Sequence, residues 1–181
     1  MNAEKLRKAG CWLSLCLLTL MIVSCGRRVA IGDLRCEYLV APLGIDTRSP
    51  RFTWTYVGEE EFVPSVCRLC VATEPGKLDD PDVWDSGKIA AERPQVVMAD
   101  SGALKSRTAY WWRVEVWNEA GERVVSPVAG FETALLDPSE WQARWITDSC
   151  GRDCVPAPMF RRSFRVKSGV VRARLYASAA A

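Results

Sequence analysis

"TAYWWRVEVWN", residues 108–118, alternates along its length so regularly that it decides the fold class of the chain. In an extended strand, every second side chain points to the same face. One face of this segment would carry four successive apolar or aromatic side chains: Tyr110, Trp112, Val114 and Val116. The pattern predicts a β-strand with that face in a core.

Shorter segments with the same two-residue period lie on both sides of it, separated by turn residues, and no long stretch has a helical period. We expect strands at 35–40, 51–57, 65–73, 83–89, 95–98, 108–118 and 128–135. Strand 51–57 would place Phe52, Trp54 and Tyr56 on one face, and Gly121 suits the turn at 119–123. Short strands at this spacing predict an all-β protein built as a β-sandwich.

Composition excludes several classes of function. The chain has 181 residues, a formal net charge of +2 and no histidine. Without histidine, Ser-His-Asp and Cys-His catalysis are excluded, and the commonest metal ligand is missing. We expect no cofactor and no metal site. We also expect no nucleic-acid partner, because the chain after its first 24 residues holds 21 basic and 21 acidic residues and is formally neutral.

The N-terminus has the layout of an export signal. Three basic residues precede an uncharged run, Cys11 to Val23, and a small residue, Ser24, stands before Cys25. This arrangement resembles the lipobox of bacterial lipoproteins. It predicts a signal helix and cleaved signal peptide at 1–24, lipidation of Cys25 and a lipid-anchored linker at 25–32.

The same segment leaves two alternatives open. A transmembrane helix needs about 20 apolar residues, and the uncharged run at 9–26 has 18; a plain secretory signal is also compatible. With lipidation, the protein would lie in the cell envelope as an outer-membrane lipoprotein. The lack of an acidic cluster at 26–32 favours the periplasmic face, with surface display left open.

The cysteines invite a metal or redox interpretation that their setting does not favour. "CRLC" at 67–70 lies in the strand-like segment "SVCRLCVAT". Three steps along a strand reverse the face and span roughly 10 Å, whereas a zinc site or disulfide needs converging sulfur atoms. We interpret Cys67 and Cys70 as packed strand residues. Cys150 and Cys154 could close a small disulfide ring in an oxidising compartment.

A second unit begins near residue 139. Segments 159–166 and 170–178 are predicted strands, the second with Val171, Ala173 and Leu175 on one face and two arginines, Arg172 and Arg174, on the other. Residues 161–174 contain six basic residues and no acidic one. We interpret the arginines as a solvated sheet face rather than a nucleic-acid site. Two or three strands cannot close a domain, so the chain reads as the front of a longer protein.

The segment "LKSRTAYWWRVEVWNEAG", residues 104–121, resembles the fibronectin type III pattern. The resemblance implies a corner in which Leu104 and Tyr110 pack together and the tyrosine hydroxyl bonds upstream backbone. It also implies that Trp54 is the buried tryptophan of an early strand.

Six segments in order resemble the N-terminal part of bacterial α-L-rhamnosidases of glycoside hydrolase family 78. They are "LRCEYLVAPLGIDTRSPRFTW" (34–54), "VWDSGK" (83–88), "YWWRVEVWNEAG" (110–121), "FETALL" (131–136), "WQARWI" (141–146) and "APMFRRSFRV" (157–166). The resemblance implies a fibronectin type III-like sandwich at 33–136, then the truncated start of a jelly-roll domain at 137–181. In that family an (α/α)₆ barrel follows, where two carboxylates cleave terminal rhamnose with inversion. Cys67 departs from the family, which tends to carry an aromatic residue near that place.

No position here matches the catalytic carboxylates of that family. The acidic residues of the loops are expected to be solvated rather than catalytic: Glu59, Glu60, Glu61, Asp79, Asp80 and Asp82. The resemblance therefore implies a catalytically inactive N-terminal fragment of an exported rhamnosidase. Its expected partners are the membrane, plant or bacterial glycans and the missing catalytic domain.

Two alternatives remain open. The first is a stand-alone envelope lipoprotein that binds sugars or a protein, with Trp111 and Trp117 as candidate stacking platforms. The second is a remnant of a broken gene with no function.

Overall fold

The computed structural model describes residues 29–58, 62–147 and 159–178, and ordered secondary structure in these residues is almost entirely β. The strands are β1 (Ala30–Cys36), β2 (Leu43–Ile45), β3 (Arg51–Val57), β4 (Pro64–Ala72), β5 (Trp84–Asp85), β6 (Ile89–Ala90), β7 (Gln95–Val97), β8 (Ala109–Asn118), β9 (Arg123–Val125) and β10 (Ala129–Thr133). Two 3₁₀ turns lie at Pro75–Lys77 and Pro138–Glu140. Among the residues described, none of the helical segments has the length and apolar character needed to cross a bilayer.

The strands form two sheets. The first has the order β1-β3-β7, and the second has the order β2-β10-β8-β4-β5, with β6 also paired to β4 and β9 to β8. Every pairing is antiparallel except that of β2 with β10. Residues of both sheets share one buried apolar cluster, so the predicted all-β sandwich is confirmed.

The core forms where β3 of the first sheet meets β8 of the second. The four apolar residues predicted on one face of β8 are each at most 2% exposed: Tyr110, Trp112, Val114 and Val116. Phe52 of β3 is fully buried, and its ring centroid lies 4.7 Å from that of Trp112. Trp54 is 2% exposed, as predicted for the tryptophan of an early strand. Aromatic pairs at this separation stabilise a core beyond the burial of their area.

The predicted tyrosine corner is present. The backbone N–H of Lys105 donates a hydrogen bond to the Tyr110 hydroxyl oxygen at 2.8 Å. Leu104 is 3% exposed, and the Tyr110 ring stacks on Phe131 with centroids 5.4 Å apart. The hydroxyl thus fixes the loop that enters β8 while the ring remains in the core.

The strand predicted at 35–40 is displaced toward the N-terminus. β1 ends at Cys36 because Glu37 and Tyr38 have φ angles of +47° and +64°, which turn the chain out of the sheet. Leu39 and Val40, which look like strand residues in the sequence, are 58% and 65% exposed.

The strand predicted at 83–89 is wrong in a different way, because it is broken in two. Gly87 has a φ of +62° and separates β5 from β6, which pair with different parts of β4. A left-handed φ is readily adopted only by glycine. Two short strands were not expected: β2 lies inside the predicted connection 41–50, and β9 forms a hairpin with β8 through the turn at Gly121.

The segments after the sandwich are not the strands that the sequence predicts. Neither 159–166 nor 170–178 pairs with a neighbouring strand among the residues described, and most of their side chains are exposed. An isolated segment cannot make the ladder hydrogen bonds that define a strand. Their assignment to a jelly-roll domain stays a prediction. The signal helix, Cys25 and the pair Cys150 and Cys154 lie outside the described residues.

Candidate functional site

Hydrogen bonds and an ion pair to Asp82 stabilise the acidic loop that precedes β5. The Asp82 carboxylate accepts hydrogen bonds from the Thr73 backbone N–H at 2.9 Å and the Thr73 hydroxyl at 2.6 Å, and it pairs with the Lys77 ammonium at 2.9 Å. The Thr73 hydrogen bonds lower the pKa of Asp82 well below its usual range. A carboxylate held ionised in this way is a poor general acid or base at neutral pH. Glu59, Glu60 and Glu61 lie outside the described residues.

The outward face of β8 carries a chain of ion pairs. Glu115 is 2% exposed, and one of its carboxylate oxygens pairs with Arg113 and with Arg123, each at 2.9 Å. Arg113 also pairs with Asp79 at 2.5 Å, and this hydrogen bond lowers the pKa of Asp79. These charges neutralise one another, so the face offers no free catalytic pair of carboxyl groups.

The two candidate stacking tryptophans are both engaged. The ammonium group of Lys88 lies 4.4 Å from the centroid of the Trp117 ring, and the guanidinium carbon of Arg123 lies 5.8 Å from it. Trp111 packs against a small second cluster of Cys70, Ala72 and Leu78. Both indoles are half-buried. A sugar that stacked on the ring face under Lys88 would have to displace that ammonium group.

The strand cysteines are free, buried thiols, as the sequence predicts. Cys67 belongs to the main core and Cys70 to the smaller cluster on the opposite face of β4. Burial raises the pKa of Cys70 to about 11 and that of Cys36 to about 12. Such thiols are not reactive nucleophiles, because the thiolate is the reactive form. Across 29–58, 62–147 and 159–178, His, Cys, Asp and Glu form no group of three that could hold a metal ion.

A groove lies where the sandwich meets the segment after it. It has a volume of about 530 Å³ and is lined by the β2 and β10 end of the second sheet, by Trp141 and by residues 174–178. A neighbouring groove of about 590 Å³ is lined by Trp141, Trp145 and Tyr176, among others. Glu132 of β10 and Arg174 line the first groove together. The sequence alone did not single out Glu132, because this residue lies in a predicted strand and belongs to the family-like segment "FETALL".

Comparison with known proteins identifies relatives of one kind. A family model described as "Rha78A-like, N-terminal immunoglobulin domain" matches residues 31–137. The chain is 35% identical to an α-L-rhamnosidase of Streptomyces avermitilis over 128 residues, which are 68% of this chain and 12% of that protein. It is 33% identical to an α-L-rhamnosidase of Formosa agariphila over 150 residues, 76% of this chain and 16% of the relative.

A solved structure shares the fold. The α-L-rhamnosidase of Dictyoglumus thermophilum superposes with a TM-score of 0.59 and 30% sequence identity, covering 65% of this chain and 14% of that one. The chain therefore spans less than a fifth of the length of each of these proteins. The matched part is their N-terminal region.

Proposed function

We propose, because the chain belongs to the family of Rha78A-like N-terminal immunoglobulin domains of α-L-rhamnosidases, that it is the non-catalytic leading part of an enzyme that hydrolyses terminal α-L-rhamnose from glycans. The observation that carries this proposal is the family match over residues 31–137. In this function, the sandwich packs against the domains that follow it and spaces the catalytic domain from the membrane.

The state of the acidic residues supports a non-catalytic role. An inverting glycosidase needs two carboxyl groups about 6.5–9.5 Å apart around a sugar. Three of the described carboxylates already have structural partners: Asp79 pairs with Arg113, Asp82 accepts from Thr73, and Glu115 pairs with two arginines.

An assay with a chromogenic aryl α-L-rhamnoside tests the proposal. The 181-residue chain alone should give no turnover above buffer. A protein extended by the reading frame downstream of codon 181, if that frame encodes a helical barrel, should hydrolyse the substrate. Turnover by the chain alone, or a true stop at codon 182, would contradict the proposal.

We further propose that the chain is exported and lipid-anchored through Cys25 at the outer membrane. The basic start, the uncharged run and the small residue before Cys25 support this proposal. Each buried CH₂ of an acyl chain contributes about 0.8 kcal/mol, so several chains on one residue would hold the protein firmly.

Palmitate labelling in cells tests the anchor. The wild-type chain should incorporate label, Cys25→Ala should not, and the matched variant Cys16→Ala, which removes a thiol from the same apolar run, should label like wild type. Equal labelling of all three chains would exclude Cys25 as the attachment site. For the anchored protein, protease added to intact cells distinguishes the two locations. A protein displayed on the surface should be degraded, and one on the periplasmic face should be protected.

The alternative of a stand-alone sugar-binding lipoprotein has weaker support. Its candidate platforms are Trp111 and Trp117, on the face of β8 opposite Tyr110; Lys88 lies over Trp117, and the second cluster packs against Trp111. Titration with rhamnose-containing oligosaccharides while following tryptophan fluorescence would favour this alternative only if binding saturates and is abolished by Trp117→Ala.

A further inference from the structure

Glu132 is a buried acid in a place where a free sandwich would expose it. Its neighbour in β10, Phe131, is 3% exposed and points into the core. Alternation along a strand therefore directs Glu132 to the opposite, outer face of the second sheet. The residue is nevertheless only 5% exposed. An ionised carboxylate buried without a partner would strongly destabilise the fold.

Two arginines from beyond the sandwich supply that partner. Arg174 donates from Nε to Oε1 of Glu132 at 2.8 Å and from Nη2 to Oε2 at 3.1 Å, which is bidentate geometry. Arg172 donates from Nη2 to Oε2 as well. Paired guanidinium and carboxylate groups in this arrangement add geometric specificity to the attraction.

The basic run noted in the sequence explains why the partner is Glu132. Residues 159–178 contain no acidic side chain that could neutralise their arginines. Arg172 and Arg174 are two residues apart, so in extended backbone both reach the same side of the chain. Their side chains remain 55% and 34% exposed, so the solvated arginine side that the sequence suggests is also the side that pairs with Glu132. Val171 and Leu175, on the other side, are 101% and 90% exposed.

We propose that Glu132 is a docking residue by which the sandwich fixes residues 170–178, with Arg172 and Arg174 as the clamp. The occupant of the surface around Glu132 is this segment of the same chain. Docking orients the segment so that its apolar side, with Val171 and Leu175, faces away from the sandwich. The proposal concerns contacts within this chain only, so it stands or fails independently of rhamnosidase activity.

Limited proteolysis of the full 181-residue chain, purified in detergent because of its apolar run at 9–26, tests the clamp. Trypsin must accept an arginine side chain into its own pocket, so clamped arginines should be cleaved slowly. Initial cleavage rates after Arg172 and Arg174, followed by mass spectrometry, are compared with those after Arg161 and Arg165 in the same sample. In Glu132→Gln the first two rates should rise by about tenfold or more, the factor that corresponds to about 1.4 kcal/mol, while the reference rates stay constant.

A second variant leaves the sandwich unaltered. In the double variant Arg172→Gln/Arg174→Gln, chymotrypsin should cleave after Tyr176 faster than in wild type, with cleavage after Phe164 as the internal reference. If Glu132→Gln does not fold, this variant decides the question. The matched control Glu115→Gln removes a buried acid that also holds two arginines, but within the sandwich, and should leave cleavage after Tyr176 unchanged.

The outcomes are distinct. Faster cleavage confined to 170–178 in the clamp variants supports the proposal. Unchanged rates in the folded clamp variants would overturn it. Equal acceleration in a further control, Arg165→Gln, would also overturn it, because that result would assign the effect to net charge rather than to the contact with Glu132.

Discussion

Removing a single oxygen atom from the tyrosine corner should weaken the whole sandwich. In Tyr110→Phe the ring keeps its place against Phe131, 5.4 Å away between centroids, so the packing of the core is unchanged. The variant loses only the hydrogen bond that the Lys105 N–H donates at 2.8 Å. The side chain of Tyr110 is 2% exposed, so water cannot replace the hydroxyl from the core side.

The size of the effect follows from what is lost. A neutral hydrogen bond contributes about 0.5–1.5 kcal/mol net, and leaving a buried donor without an acceptor costs about 1–3 kcal/mol. Lys105 itself is exposed, so solvent can reach its freed N–H and the second cost is at its low end. We expect the free energy of unfolding to fall by about 1–2 kcal/mol, and the midpoint of thermal unfolding to fall by roughly 4–8 °C per kcal/mol for a domain of this size.

A second tyrosine provides the matched control. The Tyr56 hydroxyl is buried and makes no hydrogen bond among the residues described. The indole N–H of its neighbour Trp54 is likewise buried without a partner in this part of the chain. Tyr56→Phe removes the same atom from the same core without breaking a hydrogen bond. It should therefore be neutral or slightly stabilising, because a buried polar group without a partner is itself unfavourable.

Urea unfolding followed by tryptophan fluorescence measures both variants. Tyr110→Phe should lower the urea midpoint without changing the slope, and Tyr56→Phe should leave the midpoint at or above that of wild type. Equal shifts in the two variants would refute the reasoning, because the hydrogen bond could not then be the cause.

Three further predictions test the charges and thiols. Peptide-mapped labelling with iodoacetamide at pH 8 should leave Cys36 and Cys70 unmodified in the folded chain and label them in urea, because burial raises their pKa to about 12 and about 11. Asp82→Asn should lower stability at neutral pH, and the difference from wild type should shrink as the pH falls below about 4. The lowered pKa contributes its full stability above the pKa of the unfolded chain and loses it progressively as the pH falls toward the lower pKa of the folded protein. Glu115→Gln should lower the free energy of unfolding by about 2–3 kcal/mol in the same urea assay, since it weakens the charge-assisted hydrogen bond from Arg113 and removes the ion pair with Arg123; the exposed variant Glu119→Gln should be within error of wild type.

The sequence predicts best those strands that carry large apolar residues at strict alternation. β3 and β8 are placed within a residue of their observed bounds because aromatic side chains mark one face of each. The corner at Tyr110 is also readable, since it depends on local spacing. β1 is misplaced because "EYLV" has strand-like composition, while the left-handed backbone at Glu37 and Tyr38 depends on contacts far along the chain, such as the Arg51 N–H that donates to the Glu37 carboxylate at 2.5 Å.

The segment 170–178 shows what alternation leaves undetermined. The period identifies which residues share a side, and the grouping of Arg172 with Arg174 against Val171 and Leu175 is correct. The period does not say which side meets the protein, because that choice depends on the partner. Hydrophobicity alone would turn Val171 and Leu175 toward the sandwich, whereas a buried carboxylate at Glu132 attracts the arginines and turns the apolar side outward. The outcome is decided by a residue about 40 positions away, and a pattern confined to the segment could not have indicated it.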